Sequence, residues 1–217
     1  LKTYDPLRLR TQFRLKSGDQ YLAWLRTNLQ ITKDEVVYEE GLLEGYTFEI
    51  VDSISRVFEN IAGLNENHEL CRMLSGFSWK WESNKGNAEF DIIDEKTGQQ
   101  FKWNSKRLNW VNSKNSKNEV GCIHTIQGAD LNYVGVIFGK EIKFDKENQK
   151  IIVDVKEYKD KNGIPIKGTD PDNNEVLEYI KRVYYVLLSR GINGCYIYIE
   201  DDALREHWQL AKNRTIV

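Results

Sequence analysis

Cys122-Ile-His-Thr-Ile-Gln-Gly-Ala-Asp130 runs directly into Leu131-Asn-Tyr-Val-Gly-Val-Ile-Phe-Gly139. Residues 133–138 are an apolar run of strand type, and a similar short run, 120–124, precedes them. Apolar runs of this length, bounded by turn residues, read as central strands of a sheet buried on both faces. Between them lies a polar turn holding His124, Thr125, Gln127, Gly128 and Asp130. In an open α/β sheet ligands bind outside the strand ends, at turns of this kind. Gly128 would let the backbone approach a ligand closely. Asp130 could accept a hydrogen bond from a ribose hydroxyl. On composition alone an ordinary capped loop fits as well.

Working outward, the same rhythm appears on both sides. Upstream, 7–15 reads as a strand. A helix with Tyr21, Leu22, Leu25 and Leu29 on its apolar face follows, then a strand over 46–51. Asp52 can cap the next helix, which carries Ile54, Val57, Phe58 and Ile61 at helical spacing, and a strand covers 70–74. Downstream, 141–156 suggests a hairpin around a polar turn, and a helix spans about 175–189. Gly191 and Asn193-Gly194 end that helix, 195–199 form the last strand, and 201–212 the last helix. Strand and helix alternating in this way predict an α/β fold: a mostly parallel sheet flanked by helices.

Residues 77–119 depart from the rhythm. They hold Trp79, Trp81, Trp103 and Trp110, a hairpin signal around Glu95-Lys96-Thr97-Gly98, and a run from Lys96 to Asn118 with six cations and no acidic residue. The segment reads as a β-rich insertion. Lys106 and Arg107, with Trp103 and Trp110, could grip a nucleic-acid backbone and stack bases. A solvated loop anchored to the core by its tryptophans fits equally.

Composition narrows the classes. Of the 217 residues 40% are hydrophobic, enough for a sizeable core. Lys plus Arg number 31 against 33 Asp plus Glu, so nucleic-acid binding by bulk charge is excluded and any such role needs a local patch or a partner domain. Cys71, Cys122 and Cys195 stand far apart among apolar residues, as buried reduced thiols do in a cytoplasmic protein. Three histidines, none spaced with a cysteine as zinc ligands are, point to no structural metal. No apolar run suits a membrane span. The chain starts at Leu1, close to a strand-like run, as an excised fragment would.

Two arginines sit in strand-edge positions. Arg14 ends Gln12-Phe-Arg14, and Arg190 ends Tyr185-Val-Leu-Leu-Ser-Arg190 before Gly191. A guanidinium fixed there could reach a phosphate, and a salt-bridging Arg near a helix C-terminus is the ordinary alternative. Together Gln12-Phe-Arg14, Cys122–Asp130 and Tyr185–Gly191 resemble, in order and spacing, three motifs of the second RecA-like domain of superfamily 1 helicases. They resemble still more closely the Schlafen-like DNA/RNA helicases, known in bacteria as a domain of unknown function. The phrases that carry this are QFR with GDQYLAWL, GCIHTIQGAD with YVGVIFG, and YVLLSRG. The resemblance runs from about 7 to 200 and is weakest over 77–118 and 145–175.

The resemblance implies a P-loop NTPase second domain: residues 1–217 as one C-terminal RecA-like domain, with an insertion at 77–119 and a hairpin excursion at 141–170. It implies ATP and Mg²⁺ shared with an upstream RecA-like domain of the same protein, and single-stranded DNA or RNA as the track. Arg14 and Arg190 resemble the arginines that stabilise phosphoryl charge. Gln127, Gly128 and Asp130 resemble the nucleotide-side residues, with Gln127 where many relatives have Lys and Cys122 where they have Thr. His124 and Thr125 resemble residues that couple this motif to the strand. The phosphate loop, G-x-x-x-x-G-K-(S/T), and an acidic pair for Mg²⁺ have no convincing match in the sequence, so this chain alone is expected to hydrolyse ATP negligibly. Two other readings remain: a degenerate module that only binds nucleic acid or protein, and a metal-dependent nuclease built on Asp145, Asp154 and Lys156.

Overall fold

A computed structural model describes residues 15–16, 18–32, 41–160 and 172–214. Arg14 and the strand expected over 7–15, Leu15 apart, lie outside the described residues, as does 161–171.

The fold is α/β, with a mostly parallel seven-stranded sheet flanked by helices, consistent with a RecA-like domain. Its strands are β1 (Thr47–Val51), β2 (Cys71–Ser75), β3 (Ile92–Ile93), β4 (Gln100–Trp103), β5 (Glu119–Gly121), β6 (Leu131–Phe138) and β9 (Gly191–Ile199), in the order β1-β9-β6-β2-β5-β4-β3. Every pairing is parallel except β3 with β4. A separate antiparallel hairpin joins β7 (Ile142–Asp145) to β8 (Lys150–Val153), as the sequence suggests. The strands expected within 77–119 are β3 and β4, and β4 pairs in parallel with β5, so they extend the same sheet.

Strand alternation sends side chains to two cores. Val134, Val136 and Phe138 of β6 and Cys195, Ile197 and Ile199 of β9 face one side. There they meet α1 (Gly18–Asn28), α3 (Asn174–Leu188) and α4 (Asp202–Asn213). Trp24 lies edge-on to Phe48 (centroids 4.9 Å apart) and to Trp208 (5.4 Å), and Phe138 stacks on Tyr184 at 4.1 Å. Such pairs contribute beyond their buried area. On the other face Ile137 and Tyr198 meet Ile54, Val57 and Ile61 of α2 (Ile54–Asn67).

Three local expectations shift. Ser53, not Asp52, caps α2: its side chain accepts from Arg56 N. The last strand starts at Gly191 rather than 195, because parallel pairing with β6 begins at Leu131↔Gly191 and overrides the turn preference of Asn193-Gly194. Trp103 and Trp110 are fully buried, so they anchor 102–117 to the core and are not available to stack bases. Among the described residues no helix is long and apolar enough to cross a membrane.

Helix α2 comes close to β6 at Gly135, where a Cβ would stand 2.3 Å from Val57 Cγ1. Gly135→Ala should therefore destabilise the protein by about 1–3 kcal/mol through overpacking. Chemical denaturation measures it, and Val57→Ala in the same chain should restore part of the loss. An unchanged midpoint for Gly135→Ala alone would show that the helix gives way freely.

Candidate functional site

All six parallel strands point one way, so the sheet has an amino end and a carboxyl end, and the motif residues divide between them. Segment 122–130 leaves the carboxyl end of β5 and returns to the amino end of β6, with β2 lying between the two strands. Thr125 folds its first turn: Oγ1 donates to Cys122 O (3.0 Å) and accepts from Cys122 N (3.1 Å). Ile126 is buried as an anchor. Ala129 N donates to Ile126 O (3.1 Å), and Gly128 turns the chain with φ +75° in the left-handed region.

At the amino end this turn meets the start of β9. Leu131 N donates to Arg190 O (3.1 Å), and Arg190 Nη1 donates to Ala129 O at 3.4 Å. Gln127, Gly128 and Asp130 are exposed there, and Arg190 is half-buried. With Leu70, Asn109 and Asn112 the turn lines a shallow depression of about 300 Å³. The structure thus brings Arg190 and the 127–130 turn together.

His124 and Thr125 lie towards the carboxyl end. They line a cavity of about 600 Å³ at the ends of β2, β4 and β5, with Phe77, Trp79, Trp81 and Arg107. Thr125 lines both hollows. The His124 ring sits 5.7 Å from Phe77, and its Nε2 is 3.6 Å from Asp160 Oδ2. Cys122 closes part of the wall, and burial pushes its thiol pKa up, away from reactivity. Arg107 is exposed at the lip, and Lys106, next to it in the chain, is exposed as well. Phe77, Trp79 and Trp81 are the residues sequence reasoning missed. The available signal was their spacing of two after a strand, which puts three aromatics on one face of an extended chain.

Beneath this cavity lies a buried acid. Glu141 Oε1 accepts from Tyr184 Oη (2.5 Å), and Oε2 is hydrogen-bonded to Ser78 Oγ, between Phe77 and Trp79. Burial outweighs these bonds and raises the Glu141 carboxyl from its ordinary 4.5 to about 7. In the hairpin, Asp145 accepts from the backbone of Glu147 and Asn148, while Asp154 pairs with Lys143 at 2.9 Å. Both acids of the nuclease reading are thus engaged locally. Among the described residues no group of three or more His, Cys, Asp and Glu is placed to hold a metal ion.

Residues 2–201 match the family described as Schlafen group 3, DNA/RNA helicase domain. The chain is also similar to an uncharacterised Saccharomyces cerevisiae protein, YPL245W: 28% identical over 217 aligned positions, covering 94% of this chain. It spans about half, 48%, of that relative's length. No solved structure matches.

The Glu141 site makes stability depend on pH with a definite sign. A raised carboxyl means the folded state holds a proton that the unfolded state has lost, so stability falls as pH rises from about 4.5 through about 7. The total fall is on the order of 3 kcal/mol. Glu141→Gln can still accept from Tyr184 and donate to Ser78, so it should flatten this decline and be the more stable form at pH 8. Thermal melts of the two proteins across that range check it, and parallel profiles would refute it.

Proposed function

The chain belongs to the Schlafen group 3 DNA/RNA helicase domain family, and from that premise we propose that it is the second motor domain of an ATP-driven DNA or RNA helicase or translocase. The observation that carries the reading is the crossover 122–130, which has one end against Arg190 and the other in an aromatic cavity. One segment thus touches both a surface suited to a nucleotide and a surface suited to a strand.

ATP with Mg²⁺ would be gripped by a phosphate-binding domain of the same protein and would face the amino end of this sheet. The residues there fit that group in kind. Arg190 offers a positioned guanidinium beside the turn. Asp130 offers an exposed carboxylate, suited to a ribose. Gly128 has open space where a Cβ would stand. ATP supplies the phosphoryl-transfer energy. This chain's part is to neutralise developing phosphate charge through Arg190 and to draw the turn closed. Arg14 would join Arg190 in this role.

At the carboxyl end a single strand would lie against the cavity, its bases stacking on Trp79 and Trp81 and its phosphates meeting Arg107 and Lys106. Closure at Arg190 would reach the strand through Thr125 and His124. A module that binds nucleic acid without ATP is the second reading, favoured by Gln127 and Cys122 standing where relatives have Lys and Thr.

Two measurements test this. In the protein carrying both motor domains, Arg190→Ala should lower the ATPase kcat by about 10³-fold with an unchanged melting temperature, and this chain alone should turn over negligible ATP. Undiminished turnover in the Arg190 variant would leave the ATP-independent module standing. In this chain, Trp81→Ala should weaken single-strand binding, read by fluorescence anisotropy, by about tenfold. Unaltered affinity would move the strand away from the cavity.

A further inference from the structure

Asn104 follows β4 and forms part of the wall of the aromatic cavity, among Trp79, Trp81 and His124. It has no solvent exposure. Its Nδ2 donates to Lys106 O at 3.3 Å, the orientation of the amide that this carbonyl favours. Its Oδ1 is buried and accepts no hydrogen bond. An unsatisfied buried acceptor costs about 1–3 kcal/mol, and an apolar residue of the same shape would remove that cost. Buried polar groups in folded proteins are otherwise nearly always paired. Asn104 belongs to the cavity wall, and its Oδ1 lies just behind the surface, so a ligand in the cavity meets it once the neighbouring wall side chains give way.

We propose that Asn104 is a base-reading residue: a nucleobase of a single strand, unstacked into the cavity between the aromatic rings, donates an exocyclic amine hydrogen to Asn104 Oδ1. This rests on the strand-binding reading of the same cavity and adds a choice among bases. The choice follows from geometry at the base edge. The amines of cytosine and adenine project beyond the ring and can reach a recessed acceptor. The ring N–H of uracil and thymine is set back between two carbonyl oxygens, whose lone pairs repel the asparagine oxygen. With Nδ2 already engaged by Lys106 O, the amide offers a bare acceptor, and a base without a projecting donor leaves it unpaired. Sites built to pair a polar group reject ligands that lack the matching one. The aromatic walls add sequence-tolerant stacking, so Asn104 ranks the bases while the rings hold them.

The pair that isolates the effect is cytosine against uracil, which share ring size and differ at the edge. Oligocytidylate and oligouridylate of about 12 nucleotides, in both ribose and deoxyribose form, are titrated into the unaltered chain at neutral pH, with anisotropy as the readout. Cytosine strands should bind about tenfold tighter. Strands carrying 2-pyrimidinone, which is cytosine without its amine, should fall to the uracil level. Asn104→Leu should bring cytosine down to the uracil level and leave uracil binding unchanged. The 2-pyrimidinone arm needs no altered protein, so it holds even if Asn104→Leu folds poorly. Equal affinities for cytosine and uracil, or a difference that survives removal of the amine, would overturn base reading by Asn104 while leaving the strand in the cavity. If no strand binds, or if Trp81→Ala changes nothing, the strand-binding reading itself fails and this proposal fails with it.

Discussion

Nine residues, 122–130, must carry the chain from the carboxyl end of β5 to the amino end of β6, past β2, and both candidate surfaces follow from that constraint. Parallel neighbours are normally joined by a dozen or more residues, usually including a helix. Nine as a helix would rise only about 13 Å, leaving nothing for the turns at either end. The return is therefore made from turns. Thr125 closes the first onto Cys122, Ile126 pins the middle to the core, and Gly128 takes the left-handed conformation that lets the second turn rejoin the sheet. A crossover without a helix leaves polar groups facing solvent along its length. That is why a cavity at one end of the sheet and a depression at the other share Thr125.

The ground under this crossover is held by buried polar groups. Arg72 on β2 is 4% exposed, and its guanidinium is spent on neutral acceptors: Ser116 Oγ, Val111 O, Cys71 O and Asn65 Oδ1. Burial lowers its pKa. Glu119 is likewise buried and accepts from Trp110 Nε1 (2.7 Å) and Ser105 N (2.9 Å). Together they fasten 105–117, a segment with little regular structure, so that Asn109 and Asn112 form one wall of the amino-end depression. Removing Ser116 from Arg72 or Trp110 from Glu119 would leave a buried charged group short of a hydrogen bond, which costs more than an ordinary lost one. The polar network therefore fixes the shape of a region where the apolar core is thin.

The central strands are legible in the sequence because 133–138 and 195–199 are continuous apolar runs, and 70–74 is apolar but for Arg72. The pairing of 120–121 and 131–138 around β2 could not be read, since strand order depends on contacts between distant segments. The outer strands were harder still. β5 has three residues and β4 four, too few for alternation to stand out among Lys, Asn and Ser. Trp79 and Trp81 fall in a segment that reads as an insertion, and nothing in their identity distinguishes a cavity wall from a core anchor. Trp103 and Trp110, which look the same in the sequence, are core anchors. Asn104 was one asparagine among many, and its unpaired oxygen exists only in the folded wall. The Arg190 turn was legible because its phrase is specific, but its approach to Ala129 follows from β6 and β9 being neighbours.

Charge decides how a strand could be held at such a surface. With 31 cationic against 33 acidic side chains, the chain has no general field to draw a polyanion. Several lysines near the carboxyl end are engaged: Lys140 with Glu95, Lys143 with Asp154 and Lys146 with Glu206. Arg107 at the lip and its chain neighbour Lys106 are exposed. Lys159 also lines the cavity but is paired with Glu157. So few free cations would neutralise few phosphates and release few counterions, and little of the affinity could come from salt-sensitive contacts. Stacking and edge recognition inside the cavity would have to carry it, which is the regime in which a single buried acceptor such as Asn104 Oδ1 weighs most in choosing one base over another.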